Sequence, residues 1–263
     1  MKGRRNALID WLDELQASGR YTFTREDEHR EGPHAERKAL WRAEREGRLA
    51  QPRNGFFVVV PPEYRVTGAP PAPWFIDDLM RFQKQRYYVG LLSAASIHGA
   101  SAQAVQEFQV MVPAALRPIR AGRLRIHFVQ RTNHSRAVTE QRQTPTGWMT
   151  ISTAEQTALD AARYPAVSGG WDNVASVVRD LAQRLDANKL ARVARQQRDV
   201  RSTQRLGYLL DRVVRAEDAA RALAAVLVRQ RTRYVALDSR GPKDAVERDE
   251  RWHVLVNRSF APD

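Results

Sequence analysis

In the stretch PHAERKALWRAEREG, helical spacing of about 100° per residue puts His34, Arg37, Lys38, Trp41 and Arg45 on one side. Ala35, Ala39, Leu40 and Ala43 form an apolar stripe on the other. Cations beside an indole suit phosphates and base edges, not proton transfer. Glu36, Glu44 and Glu46 fall toward the flanks of the apolar side, away from any approaching phosphate. The next residues, RLAQPRNGFFVVV, have apolar arms around Arg53-Asn54-Gly55. Asn-Gly favours a tight hairpin turn because both residues tolerate positive φ. Arg53 and Asn54 are therefore candidate contacts to nucleic-acid backbone or minor groove.

A second basic set lies in NKLARVARQQRDVRSTQRLGYLLDRVVR. Lys189, Arg192, Arg195, Arg198, Arg201, Arg205, Arg212 and Arg215 accompany inward stripes of Leu190, Val193, Leu206, Leu209, Leu210 and Val213. Asp199 and Asp211 are the only acids there. Such a face suits nucleic acid or an acidic protein, and Arg192, Arg195, Arg205 and Arg212 are its candidate partner-surface residues.

Catalytic patterns are sparse. His29, His34, His98, His127, His134 and His253 are scattered, with no HxxxH pair. There is no Walker loop, GxGxxG or GxSxG. His98, closing an apolar helix, reads as structural or capping. Asp160 reads as a salt-bridge partner. Asp238, ahead of ERDERW, is faintly similar to nuclease carboxylates, but the lysine that should follow the second acid on a strand is missing. With no cysteine, disulfides and thiolate metal sites are excluded. The expectation is a non-enzyme without cofactor or metal.

The elements that position these residues divide the 263-residue chain into two parts. Residues 4–18 predict a helix with Ala7, Leu8, Trp11, Leu12 and Leu15 on one face. Thr24, with Asp27 three residues on and Phe23 before it, predicts a capped second helix over 25–31. Gly32-Pro33 breaks it, and a third helix runs over 33–46. Three helices and a hairpin make residues 1–62 a winged helix-turn-helix. Pro61, Pro62, Pro70, Pro71 and Pro73 then predict a semi-rigid linker over 63–73. Residues 74–263 read as a larger mixed α/β domain, giving an α+β chain overall. Two helices are expected in PWFIDDLMRFQKQRYYVGLLSAASIHGAS, the second over 88–97. FQVMVP, RIHFVQR and GWMTIS read as strands. STAEQTALDAARYP is a helix capped by Ser152 or Thr153. Further helices are expected over 174–185, 187–197, 203–214 and 217–231, and two strands joined by a charged loop at the end.

The formal charge is +13, and the pI near 10.7 points to nucleic acid or an acidic protein as partner. Residues 1–62 carry 12 basic and 10 acidic residues, so most of the excess lies beyond them. No run of about 18 apolar residues occurs, and the N-terminus lacks an apolar signal-peptide core, so a cytoplasmic protein is expected.

The winged helix ending in GRLAQPRNGFFVVVPPEY and the proline-rich joint resemble the AbiEi antitoxin family. So do YYVGLLSAASIHGAS, FQVMVP, GWMTISTAEQTALDAARYP and the ending LDSRGP…RWHVLVN. The resemblance spans nearly the whole chain and rests on order and spacing. It implies an antitoxin of an AbiE-type toxin–antitoxin system, linked to abortive infection and phage defence. It further implies a winged helix that represses its own operon by binding inverted repeats in promoter DNA, and a C-terminal domain needed to counteract a nucleotidyltransferase toxin. By position, His34, Arg37, Lys38 and Arg53 match the family's recognition helix and wing. The alternative is a winged-helix transcriptional regulator whose C-terminal domain senses a ligand or dimerises. A nucleic-acid enzyme is the third class.

Overall fold

The computed structural model describes residues 2–31, 37–100, 107–228, 230–242 and 247–260. The chain forms two compact units. The first comprises residues 1–87, 106–130 and 141–150, and the second residues 88–105, 131–140 and 151–263.

The first unit opens with α1 (Lys2–Ala17), β1 (Thr22–Thr24), α2 (Arg25–Glu31), α3 (Arg37–Arg45), β2 (Leu49–Arg53) and β3 (Phe56–Val59). The strands form an antiparallel sheet in the order β1-β3-β2. The apolar stripes of α1 and α3 close over it. Leu8, Trp11, Leu12, Leu15, Leu40 and Ala43 pack with Phe23, Leu49, Phe57 and Val59. Trp11 meets Phe23 edge-on, and Phe23 stacks on Phe57. The expected cap of α2 is present in both directions: the Thr24 N–H donates to Asp27 Oδ2 (2.8 Å) and the Asp27 N–H to Thr24 Oγ1 (3.3 Å). β1 was not expected: three residues are too few for an alternating pattern, and pairing with β3, over thirty residues on, makes the strand.

Residues 63–73 do not lie between two compact units; they are folded into the first. Pro61 and Pro71 precede two short 3₁₀ turns, Pro62–Tyr64 and Ala72–Trp74, while Ala69 and Ala72 are buried. Trp74 meets Tyr21 and Tyr64 edge-on. Thr22 donates to Asp78 in α4 (Ile76–Phe82) at 2.6 Å. The boundary therefore differs from the one expected at 62/74, because aromatic stacking and hydrogen bonds turn a proline-rich segment into packed structure. β5 (Phe108–Val112), β6 (Ile119–Ala121) and β7 (Leu124–Gln130) also belong to this unit, β5 parallel and β6 antiparallel to β7. A Cβ on Gly122 would lie 2.1 Å from the Thr67 carbonyl oxygen, so only glycine admits that approach.

β4 (Tyr88–Val89) begins the second unit, followed by α5 (Leu91–Ile97). The helix expected over 88–97 thus begins only at Leu91. Tyr88 and Val89 are extended, with Val89 pairing in parallel with Ile151 of β9. β8 (Thr139–Thr144) and β9 (Gly147–Ser152) are neighbouring strands, and the chain crosses between the units within each. Five helices follow: α6 (Ala154–Arg163), α7 (Gly170–Ala182), α8 (Ala187–Gln197), α9 (Val200–Tyr208), which continues as a π-helical segment over Leu209–Val213, and α10 (Glu217–Leu227). Thr153, Asp186 and Asp199 cap α6, α8 and α9 by accepting from the N–H three residues on. Leu159, Trp171, Val178, Leu190, Leu206, Leu209, Leu223 and Trp252 belong to one core. The closing segment forms β10 (Val235–Ala236), β11 (Glu247–Asp249) and β12 (Val254–Val256) in the order β10-β12-β11. β10 runs parallel to β12.

Gly207 explains itself in this core. A Cβ there would sit 1.9 Å from Trp252 Cζ3, and Trp252 is fixed by its indole N–H donating to Asp211 (2.9 Å). Gly207→Ala should destabilise the protein by about 1–3 kcal/mol through overpacking, read as a lower urea midpoint. An unchanged midpoint would show that the indole has room to move.

Candidate nucleic-acid and partner surfaces

In α3, Arg37, Lys38, Trp41, Arg42 and Arg45 are exposed, whereas Leu40 and Ala43 are buried and Ala39 is half-buried. At helical spacing the five exposed residues occupy an arc of about 140°. His34 and Ala35 lie outside the described residues. Trp41 is 53% exposed, and the Arg45 guanidinium lies 4.8 Å from its ring centroid. That stack holds a cation and a flat apolar surface together in water, where such a contact contributes about 0.5–1 kcal/mol. Arg42 was missed by the sequence reading, although it sits one residue beyond Trp41 on the same arc. Glu44 is half-buried, and burial raises its carboxyl above the ordinary range, with Arg25 pulling the other way. The acids of α2 have local work: Asp27 caps the helix, and the fully buried Glu28 pairs with Arg25 at 3.2 Å.

Asn54 and Gly55 form the expected turn, Asn54 exposed and Gly55 at φ +82°. Arg53 is half-buried and turned back on its own unit. Its guanidinium donates to the carbonyls of Arg117 and of Pro118 (3.5 Å) and to Gln83 Oε1 (3.3 Å). Burial, then the neighbouring Arg117, lowers its pKa from the ordinary value. Three of its five donors are therefore engaged within the protein.

The arginines of α8 and α9 do not form one uniform face. Arg192, Arg195, Arg198 and Arg201 are exposed. Arg205 is half-buried, donating through Nε to the Ala236 carbonyl (3.0 Å) and lying 6.0 Å from the Trp171 ring centroid. Sequence periodicity had placed it off the apolar stripes; the β10 segment folds over it. Arg212 is exposed but pairs with Asp249 (2.8 Å) and Asp211 (3.5 Å).

The most buried ionic group of the second unit was only half legible. Asp160 and Arg131, each with a 1% exposed side chain, form an ion pair. The Tyr88 hydroxyl donates to Asp160 (2.8 Å) and accepts from Arg131 (2.9 Å), Gln156 donates to Asp160 (3.0 Å), and Arg131 also donates to Gln197. Gln197 in turn donates to Gln156 (2.8 Å). Burial opposes the charge on Arg131, but Asp160 and Tyr88 more than offset it, holding the guanidinium protonated above its ordinary range. Burial likewise raises the Asp160 carboxyl against the pull of Arg131. Arginine does not give up its proton in proteins, and three side chains donate to this carboxylate, so the pair is ionic. The expected salt-bridge role of Asp160 holds; its partner closes the strand RIHFVQR, where spacing gave no signal. His98 is buried, its Nε2 2.7 Å from the Ser152 carbonyl oxygen, in the structural place expected of it. Asp238 bonds its own loop: its Oδ1 accepts from the Arg240 N–H (2.9 Å), and Arg258 lies 3.5 Å from its Oδ2. Among the described residues no cluster of three or more His, Asp or Glu could hold a metal, and no helix is long and apolar enough to cross a membrane.

Residues 88–212 match the family model for the AbiEi antitoxin C-terminal domain. The match contains the whole Tyr88–Arg131–Gln156–Asp160–Gln197 network. The crystal structure of the RV2827C protein from Mycobacterium tuberculosis is similar in fold, with a TM-score of 0.63 at 18% identity over 93% of this chain and 89% of that one. Among curated proteins none matches. Residues 88–212 are therefore similar to the C-terminal domain of AbiEi antitoxins, which supports an antitoxin role in a toxin–antitoxin system.

Proposed function

We propose that this antitoxin also represses its own operon, binding inverted repeats in the promoter through a winged helix at residues 1–62, and that the toxin it counteracts is a nucleotidyltransferase encoded beside it. The carrying observation is α3. A short helix presents four exposed cations and Trp41 outward while Leu40 and Ala43 anchor it to the β1-β3-β2 sheet. A basic helix on a small rigid base, followed by a two-stranded hairpin, suits the width of a major groove. In this reading Arg37 contacts base edges, Lys38, Arg42 and Arg45 contact phosphates, and Asn54 and its neighbours approach the flanking backbone. Arg53 holds the hairpin in place through the Arg117 and Pro118 carbonyls. The exposed Arg192 and Arg195 remain candidates for the toxin-facing surface.

Arg37→Ala should cost about 1–3 kcal/mol on promoter DNA and relax sequence preference. Arg53→Ala should weaken promoter and unrelated DNA alike. Mobility shifts with promoter and scrambled duplexes test both. Equal affinity of the unaltered protein for the two duplexes would exclude base reading by α3.

A further inference from the structure

A cleft of about 460 Å³ in the second unit lies between the start of α9 and the segment leading into β10. Its lining includes Arg201, Arg205, Arg231 and Arg233, with Gln204 and Tyr234, and contains no Asp or Glu. Arg201, Arg231 and Arg233 are exposed and make no ion pair among the described residues. The carboxylates beside the lining residues have partners of their own: Asp199 caps α9 and pairs with Arg163 (3.2 Å), Asp238 pairs with Arg258, and Glu250 accepts from the Tyr234 hydroxyl. Four guanidinium groups around one concavity repel one another, and its lining holds no carboxylate to pair with them. Burial lowers the pKa of Arg205, and Arg201 lowers it further, partly offset by Asp199 and Asp238.

The cleft is also built. Arg205 is anchored by its Nε donation to the Ala236 carbonyl and by its place over Trp171. Gln204 is 1% exposed, and its Nε2 faces three carbonyls, those of Arg233 (2.9 Å), Trp252 (3.0 Å) and His253 (3.2 Å). Three acceptors fix which end of the amide is nitrogen, and they leave Oε1 buried without a donor. The wall thus combines an excess of positive charge with an unpartnered acceptor.

We infer that this cleft binds a phosphate-bearing small ligand, of the class of a nucleotide or a free polyphosphate. One carboxylate would neutralise one guanidinium. A di- or triphosphate brings several negative charges on oxygens spaced for paired guanidinium contacts, which matches four arginines better. The volume lies in the range of small-molecule sites. A nucleoside hydroxyl or amino group would bring a hydrogen-bond donor to the wall that holds Gln204. This site is separate from the DNA face of α3 and does not rest on that reading.

The test is isothermal titration of the full chain in about 0.15 M salt, a physiological ionic strength, with inorganic phosphate, pyrophosphate, ATP and citrate as probes. Pyrophosphate and ATP should bind more tightly than phosphate and citrate. Affinity for both should fall about tenfold or more in the Arg231→Ser/Arg233→Ser double variant. Both residues are exposed, so the melting temperature should hold. Arg37→Ala should leave this binding unchanged. ATP binding tighter than pyrophosphate assigns a nucleotide, and equal binding assigns the polyphosphate chain. Citrate matching pyrophosphate, an unaffected double variant, or binding lost with Arg37 would overturn the assignment.

Discussion

Arg131→Met should lower stability by about 3–5 kcal/mol, because it leaves Asp160 as an unpaired charge in a site sealed from water. Methionine fills part of the volume but cannot donate to Asp160, Tyr88 or Gln197, all of which bond the guanidinium. Asp160→Asn is the mirror case and strands Arg131. Both residues come from the segment that matches the antitoxin domain. The network ties together parts distant in sequence: β4 through Tyr88, the segment that begins at Arg131, α6 through Gln156 and Asp160, and α8 through Gln197. Breaking it should loosen the docking of α6 and α8, not one contact. The double variant should lose clearly less than the sum of the single ones, because neither partner remains as a lone buried charge. Urea denaturation of the three variants measures this. Single losses under about 1 kcal/mol would mean that water reaches the pair.

The second large effect is expected at α3. Changing Arg37, Lys38 and Arg42 together to alanine should abolish promoter preference and remove most of the affinity. All three side chains are exposed, so the fold should survive. Every cation removed from a phosphate should also reduce the log–log salt slope of DNA binding by roughly 0.9. With Lys38 and Arg42 in phosphate roles the slope should fall by about 2, while Arg37 contributes mainly to discrimination. A triple variant with the original slope would place the phosphate-binding cations elsewhere, with the exposed arginines of α8 the next candidates.

Local chemistry in the sequence located much of this. Leu8, Trp11, Leu12 and Leu15 identified the buried side of α1, and Leu40 and Ala43 that of α3, because helical period and burial agree there. The Thr24–Asp27 cap and the Asn-Gly turn each need only neighbours in the chain. α8 was read to its observed bounds, since Asp186 caps it and the helix ends at Arg198 in the left-handed conformation. What escaped depends on distant partners. Tyr88-Val89 is as apolar as the helix after it, and only pairing with β9 makes it extended. Arg205 looked like a surface cation until the β10 segment covered it. Arg53 looked like a free tip until the carbonyls of residues 117 and 118 reached it. The prolines of 63–73 announced the end of a helix or strand, and could not announce that Trp74 and its aromatic neighbours would fold the segment into the first unit.

The same triple variant of α3 tests the proposal most directly in living cells, because it separates repression from neutralisation without cutting the folded first unit. The proposed toxin, a nucleotidyltransferase encoded beside the antitoxin, is expressed from an independent promoter, with the antitoxin or its variant supplied in trans, and growth is measured. The account predicts that the variant, silent on promoter DNA, restores growth as fully as the unaltered protein. Growth arrest in the presence of a folded variant, or of the unaltered protein itself, would contradict it.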